Sequence, residues 1–385
     1  LGAVPFASAL SEHPVTATAV GETAGEILEA LGPRPDLAAL FVTPHHGGAL
    51  EDAANAVRAI LEPGVLIGTA AVSVLGNGRE VENGPGIVLW AGRTGAPVAP
   101  LQLSVGRTSD GVTVSGWPAV LPFEPAAVVL VADPFSFPAE AFLAYLAAEH
   151  PGLPVVGGNA SAAAGPGGNR LVVDGTVASS GAIGAVIGRG LGVEPVVSQG
   201  CQPIGQPFTV TRSEDNVVYE LGGEPAYERL AAVAAALPDD RSGLRGNGVL
   251  LGMVVDERKL DYERGDFLAR DLLGIDRDTG AVAVNDLVPV GTTAQYLVRD
   301  AATADDDLRV LLSGRRASGA LVFTCNGRGA RFFPEPDHDA AVVAELLDHP
   351  ATAGFFAAGE FGPVGHRNFV HGYTAAIALL TDTPG

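Results

Sequence analysis

The chain has 385 residues, 47% of them hydrophobic, which is enough to bury one large core or two smaller ones. A formal net charge of −21 repels phosphate backbones and anionic lipid, and so argues against nucleic acid or membrane as partners. Cys201 and Cys325 form no metal or redox spacing, and neither a signal peptide nor a membrane-spanning apolar run is read, so a reducing, cytoplasmic setting is expected.

Residues 1–35 read as a helix-bearing lead-in. A unit then begins that occurs three times. Its first copy opens with the apolar strand Leu40-Phe41-Val42-Thr43, passes a loop containing His45-His46-Gly47-Gly48, and continues as a helix with Ala53, Val57, Ile60 and Leu61 on one face. A second strand, Val65 to Ala70, ends in small residues, and a polar turn leads to a third strand from Gly86 to Trp90. The second copy runs from Val129-Leu130-Val131-Ala132 through a helix with Phe142, Leu143, Leu146 and Ala147 on one face. Its later strands are Val155 to Ala160 and Gly181 to Ile187.

Residues 199–212 read as turn then strand, and 224–237 as an Ala-rich helix. The polar, Gly-bearing stretch Asp239 to Gly248 marks the boundary between two linked halves, 36–238 and 239–385. Next is a strand from Val249 to Val255. Then comes an expected β-meander of Phe267 to Ile275, Ala281 to Val284 and Thr293 to Val298, turned at Asp276 to Gly280. A helix from Thr303 to Leu312 feeds the third copy, which opens with Leu321-Val322-Phe323-Thr324. Its helix carries Val343, Leu346 and Leu347, and its later strands are Ala353 to Glu360 and Thr374 to Leu380. Glu51, Asp52, Glu140, Asp337 and Asp339 stand at the three helix starts, where the helix dipole favours acids.

Strand, helix and strand in this order make a right-handed crossover, so the first two strands of each copy should be parallel. The third, after a short connection, should pair antiparallel. The expected fold class is α/β, with repeated β-α-β-β units forming mixed sheets with flanking helices in two linked halves.

Several stretches in fixed order resemble the FIST family. In the N-terminal part these are Gly68 to Gly92, including Gly78-Arg79-Glu80-Val81-Glu82, and Gly200-Cys201-Gln202-Pro203-Ile204-Gly205 followed by Val210-Thr211-Arg212. In the C-terminal part they are Phe267-Leu268-Ala269-Arg270, Gly274-Ile275-Asp276, Val298-Arg299-Asp300 and Cys325-Asn326-Gly327-Arg328-Gly329. Gly354 to Glu360 and His371-Gly372-Tyr373-Thr374 complete the pattern. The resemblance covers roughly residues 36–378. It implies a bacterial sensory domain for signal transduction that binds small ligands such as amino acids. No output domain is read after the last strand, so a stand-alone sensor with a signalling partner is expected.

The candidate ligand-binding residues cluster at strand ends, where open α/β sheets bind ligands. In Cys325-Asn326-Gly327-Arg328-Gly329, Arg328 is suited to clamp a carboxylate, or to make a structural salt bridge between the halves. Glu360 would receive an amino group or pair with Arg328; Asn159 and Thr69 end the equivalent strands of the other copies. His371 and Tyr373 are further contacts, and the resemblance allows haem on His371 in a gas sensor. Cys201 would reach the same cleft. The His45-His46 pair reads as a polar loop over the cleft, and Arg270 and Arg299 with Asp300 as salt bridges where the halves join.

An enzyme is not expected. No nucleophile elbow, phosphate loop or metalloprotease motif is present, and Gly188 to Gly192 only faintly echoes a nucleotide loop. The catalytic alternative is a Cys325–His371 thiolate–imidazole pair, and the other alternative is an interaction scaffold. The leading expectation is a non-catalytic sensor of a polar, amino-acid-like metabolite held between the halves.

Overall fold

Nearly every residue of the strands Leu37–Val42, Val65–Ala70, Ile87–Gly92, Ala182–Gly188 and Gly319–Cys325 is buried, as expected of strands covered on both faces. In the structure, a computed structural model, residues 5–108, 111–237, 248–259 and 261–381 are described. Most of the expected boundary at Asp239 to Gly248 lies outside them. The molecule is an α/β protein with four sheets. It divides into two compact units, residues 1–197 with 311–385, and residues 198–310.

All three copies lie in the first unit. In each, the first two strands are parallel and the closing strand pairs antiparallel with the first, as expected. Leu37–Val42 lies between Val65–Ala70 and Ile87–Gly92, and Pro125–Ala132 between Val155–Asn159 and Ala182–Gly188. Gly319–Cys325 lies between Ala351–Ala357 and Ala375–Thr381. The intervening helices are Leu50–Leu61, Ala139–Glu149 and His338–Leu346.

The polar turn expected after the second strand is instead a β-hairpin in every copy, and each hairpin leaves its own sheet. The first copy's, Val74–Gly76 with Arg79–Val81, pairs with Ala351–Ala357 of the third copy. The second copy's, Leu171–Val173 with Thr176–Ala178, pairs with Val65–Ala70 of the first. The third copy's, Glu360–Val364 with Arg367–His371, pairs with Val155–Asn159 of the second. The exchange is cyclic, so no copy completes a sheet alone.

Alternation along the strands divides the core. Leu37, Ala39 and Phe41 face a cluster shared by all three sheets, which includes Val131, Ile183, Phe323 and Phe355. Ala38, Leu40 and Val42 face the other way, into a cluster with Ala24 and Ile27 of the helix Thr16–Leu31 and with Ala53 and Val57. Ile60, expected on this buried face, is 38% exposed at the helix's edge.

The second unit carries strands from Cys201–Pro203 to Thr293–Arg299 and the helix Ala226–Ala235. Leu272–Asp276 and Ala281–Val284 form the expected hairpin. Thr293–Arg299, however, pairs with Val249–Val254 and Cys201–Pro203 rather than continuing a meander, because its apolar side chains Ala294, Tyr296 and Val298 belong to the core beside Val249, Leu251 and Met253. No helix among the described residues is long and apolar enough to cross a membrane.

Candidate functional site

The three opening strands end alike. Thr43 donates its N–H to the Gly86 carbonyl, Asp133 to Gly181 and Cys325 to Thr374, each at 2.9 Å. Beyond that shared bond the three loops differ. In the first copy comes the short helix Pro44–Gly47, where His46 is buried and its Nδ1 meets Thr16 Oγ1 at 2.9 Å. His46 is therefore not part of an open polar loop, and burial, then the charges of His45 and His13, hold its pKa below the ordinary value. In the second copy Asp133 accepts from Asn169 Nδ2 at 2.8 Å and Ser136 Oγ at 2.6 Å.

The third copy places a buried charge there. The Asn326 N–H donates to the Ala357 carbonyl and the Arg328 N–H to the Cys325 carbonyl, both at 2.9 Å, which turns the chain inward. Gly329 continues the turn at φ +78°, and a Cβ there would lie 2.8 Å from the Glu82 carboxylate and the Phe356 ring. The Arg328 side chain is fully buried. It grips Asp339 through two charge-assisted hydrogen bonds, Nε to Oδ2 at 2.7 Å and Nη2 to Oδ1 at 2.8 Å. Nη1 donates to the Tyr373 carbonyl at 3.3 Å, and the guanidinium carbon sits 5.0 Å from the Phe333 ring centroid. Thr324 Oγ1 also donates to Asp339, and His338 Nδ1 lies 2.9 Å from its other oxygen. Burial resists ionisation of Asp339, but the Arg328 charge and these hydrogen bonds outweigh it and hold the carboxyl well below the usual range.

Arg328 thus makes a bidentate clamp, but the carboxylate it holds is the protein's own Asp339, in the same half of the sequence, and not a residue of the other half. Asp339 stands in the first turn of its helix, as expected, and is also the counter-ion of the loop. Glu360, the other expected partner, binds Thr374 instead: Oε2 accepts from the backbone N–H at 3.1 Å and from Oγ1 at 2.7 Å. Its Oε1 is sealed from solvent. Burial pushes the Glu360 pKa up to about 8, against the lowering effects of Thr374, Arg328 and the Cys325 thiol.

The first copy's exchanged hairpin covers this loop with two acids. Glu82 Oε1 accepts from the Ala330 N–H at 2.8 Å. Glu80 Oε1 accepts from the Ala340 N–H at 3.1 Å, near the start of the helix His338–Leu346. Glu80 Oε2 is buried without a hydrogen-bond partner among the described residues, and burial, then the Asp339 charge, pushes the Glu80 pKa up to about 8. Next to this contact lies a cavity of about 430 Å³ lined by Ser73, Glu82, Asn83, Asn326, Arg328 and Arg331, with Val72 and Phe356 as apolar wall.

The expected residues fall into three groups. Asn326 and Arg328 line the cavity. Cys325, Gly327, Glu360, His371 and Tyr373 do not line it: the Gly327 N–H donates to Cys325 Sγ at 3.4 Å, Glu360 pairs across the hairpin with His371, and Tyr373, at φ +67°, offers its carbonyl to Arg328. Asn159 joins this region through backbone, accepting from the Ala358 N–H at 3.0 Å and donating to the Gly359 carbonyl at 2.8 Å. Thr69 and Cys201 are elsewhere. Thr69 Oγ1 binds the Arg170 carbonyl at 3.0 Å, and buried Cys201 pairs with Arg299 in the second unit. Arg270 meets Asp286 at 2.6 Å inside that same unit.

His371 is buried, 4% exposed. Its Nε2 meets the Gly362 carbonyl at 3.0 Å, and it does not line the cavity. Gly188 to Gly192 joins two strands with no helix after it, so it is no phosphate loop. Among the described residues no cluster suited to a metal occurs.

Sequence reasoning missed Glu80, Glu82, Ser73, Asn83, Arg331 and Asp339 as site components. Glu80 and Glu82 sat in a recognised motif, but a hairpin leaving its own sheet carries no local signal. Asp339 looked like an ordinary helix-start acid.

The FIST N domain matches residues 36–224 and the FIST C domain residues 226–363. The uncharacterized protein Rv0628c of Mycobacterium tuberculosis is 40% identical over 383 residues, covering 97% of this chain and 98% of the relative. The uncharacterized protein Mb0898c of Mycobacterium bovis is 39% identical over 379 residues, covering 96% of this chain and 97% of the relative. With two matches that together span most of its length and relatives aligned nearly end to end, the chain belongs to the FIST family.

Proposed function

We propose that the protein is a non-catalytic sensor that binds a small polar metabolite, amino-acid-like in size and polarity, in the cavity beside Arg328, and that a signalling partner in the cytoplasm reads the bound state. The observation that carries this reading is the cavity's position. It opens on the one strand-end loop of three whose described residues hold a buried ion pair. Binding needs walls that do not reorganise, and the Arg328–Asp339 pair with its hydrogen bonds makes the loop stiff before any ligand arrives.

The family membership supports the same reading. The cavity wall combines residues 72–83, within the FIST N match, with residues 326–356, within the FIST C match. That joins the two parts of the sequence expected to share a ligand, through the exchanged hairpin of the first copy.

A thermal-shift screen of amino acids, organic acids and nucleosides on the full chain tests it. A ligand at about 100 times its Kd adds about 2.7 kcal/mol of stability. Asn326→Trp, at an exposed position on the cavity wall, is expected to fill the mouth and abolish the shift while leaving the unliganded melting temperature within about 2 °C. No hit in wild type, or hits unchanged in Asn326→Trp, removes the cavity from this role.

A further inference from the structure

The cavity contains a cation that the protein does not use. Arg328 is fully buried and committed to Asp339. Arg331, three residues on, is exposed, lines the cavity, and has no side-chain hydrogen bond or ion pair among the described residues. Its backbone is nonetheless fixed. The turn Gly329–Arg331 is closed by Phe332 and Phe333 donating to the Gly329 carbonyl at 2.9 Å, and Glu82 holds the Ala330 N–H. A long, flexible side chain is therefore mounted on a rigid base at the edge of a concave site.

Resting on the cavity reading, we propose that Arg331 is the anchor for the ligand's anionic group, and that Glu82 limits the ligand to one such group. The chain carries a net charge of −21, so an anion is repelled by the molecule at large and needs a local, unspent guanidinium. A planar fork of donors suits a carboxylate. Glu82 shares the same cavity with one oxygen taken by Ala330, and its negative charge disfavours a second anionic group while accepting from a donor such as a hydroxyl or amine. The ligand class is a small monocarboxylate bearing a hydrogen-bond donor; dicarboxylates are selected against.

The test is calorimetric titration of the full chain with a panel of monocarboxylates bearing a hydroxyl or amine, their matched amides, and their matched dicarboxylates. Monocarboxylates are expected to bind and amides to bind at least tenfold more weakly. Arg331→Ala is expected to raise Kd for the acids tenfold or more, the scale of a lost charge-assisted hydrogen bond. Arg331→Lys recovers part of that affinity, and the unfolding midpoint stays put because the side chain holds no bond that folding depends on. Glu82→Gln keeps an acceptor for Ala330 and is expected to bring dicarboxylates within threefold of monocarboxylates. Acids that bind Arg331→Ala as tightly as wild type, or dicarboxylates preferred by wild type, overturn the inference. A wild type that takes up only uncharged metabolites, with binding lost in Asn326→Trp, also overturns it, yet leaves the cavity reading standing.

Discussion

Arg328 and Arg331 lie three residues apart and carry the same charge, yet one is buried and paired and the other exposed. Removing the Arg328 side chain strands Asp339 as an uncompensated buried charge, which costs about 3–5 kcal/mol. Arg331→Ala removes no side-chain hydrogen bond or ion pair among the described residues and is expected to stay within about 0.5 kcal/mol of wild type. Urea denaturation of the two variants checks the contrast, and equal losses contradict it. Glu360 adds a pH signature. Its folded-state pKa of about 8 lies above its ordinary 4.5, so the folded chain holds the proton more tightly through that window. The stability this contributes is full below 4.5, declines as pH rises through the window, and is gone above about 8. Glu80 is shifted in the same direction to about 8, so Glu360→Gln is expected to flatten only part of the decline. Glu80→Gln with Glu360→Gln is expected to flatten most of it. Unfolding free energies measured from pH 5 to 8 decide this, and a double variant with the wild-type slope refutes the assignment.

At the scale of elements, each copy's second strand carries a glycine at the same position: Gly68, Gly157 and Gly354. Each stands opposite the corresponding residue of its opening strand, Leu40, Leu130 and Val322. A Cβ added there would lie 2.6, 1.8 and 1.7 Å from that residue's carbonyl oxygen. At these three positions the facing carbonyl leaves no room for a Cβ, so only glycine fits without a backbone shift. Gly354→Ala is expected to destabilise by about 1–3 kcal/mol or more, because backbone cannot yield as a rotamer does. Gly21→Ala is expected to be neutral or stabilising, since an added Cβ would meet nothing within 4 Å beyond its own helix and Gly21 sits inside the helix Thr16–Leu31. Thermal melts of both variants compare the two sites directly.

At the scale of the whole molecule, the cyclic exchange of hairpins makes the first unit indivisible. Residues 1–197 alone leave the hairpin Val74–Gly76 with Arg79–Val81 without the strand Ala351–Ala357, and leave Val155–Asn159 without Glu360–Val364. They also expose the core face that Phe323 and Phe355 cover beside Phe41. Such a fragment is expected to lack near-UV circular dichroism and sharp unfolding, and co-expression with residues 311–385 to restore both. A fragment that unfolds cooperatively by itself contradicts this role for the exchange.

The three β-α-β-β copies, their strand directions and the FIST family were legible because hydrophobic period, small-residue strand ends and motif order are local properties of the chain, and so was the placing of Asn326 and Arg328 in a strand-end loop. The partner of Arg328 was not. Asp339, Glu80 and Glu82 reach the loop only through a folded helix and a hairpin borrowed from another copy, and pairing between distant segments leaves no spacing to read. Whether an arginine is spent on a neighbour or left for a ligand is a matter of burial. Only the packed structure separates Arg328 from Arg331, because desolvation compels the first to find a counter-ion and leaves the second exposed at the cavity's edge.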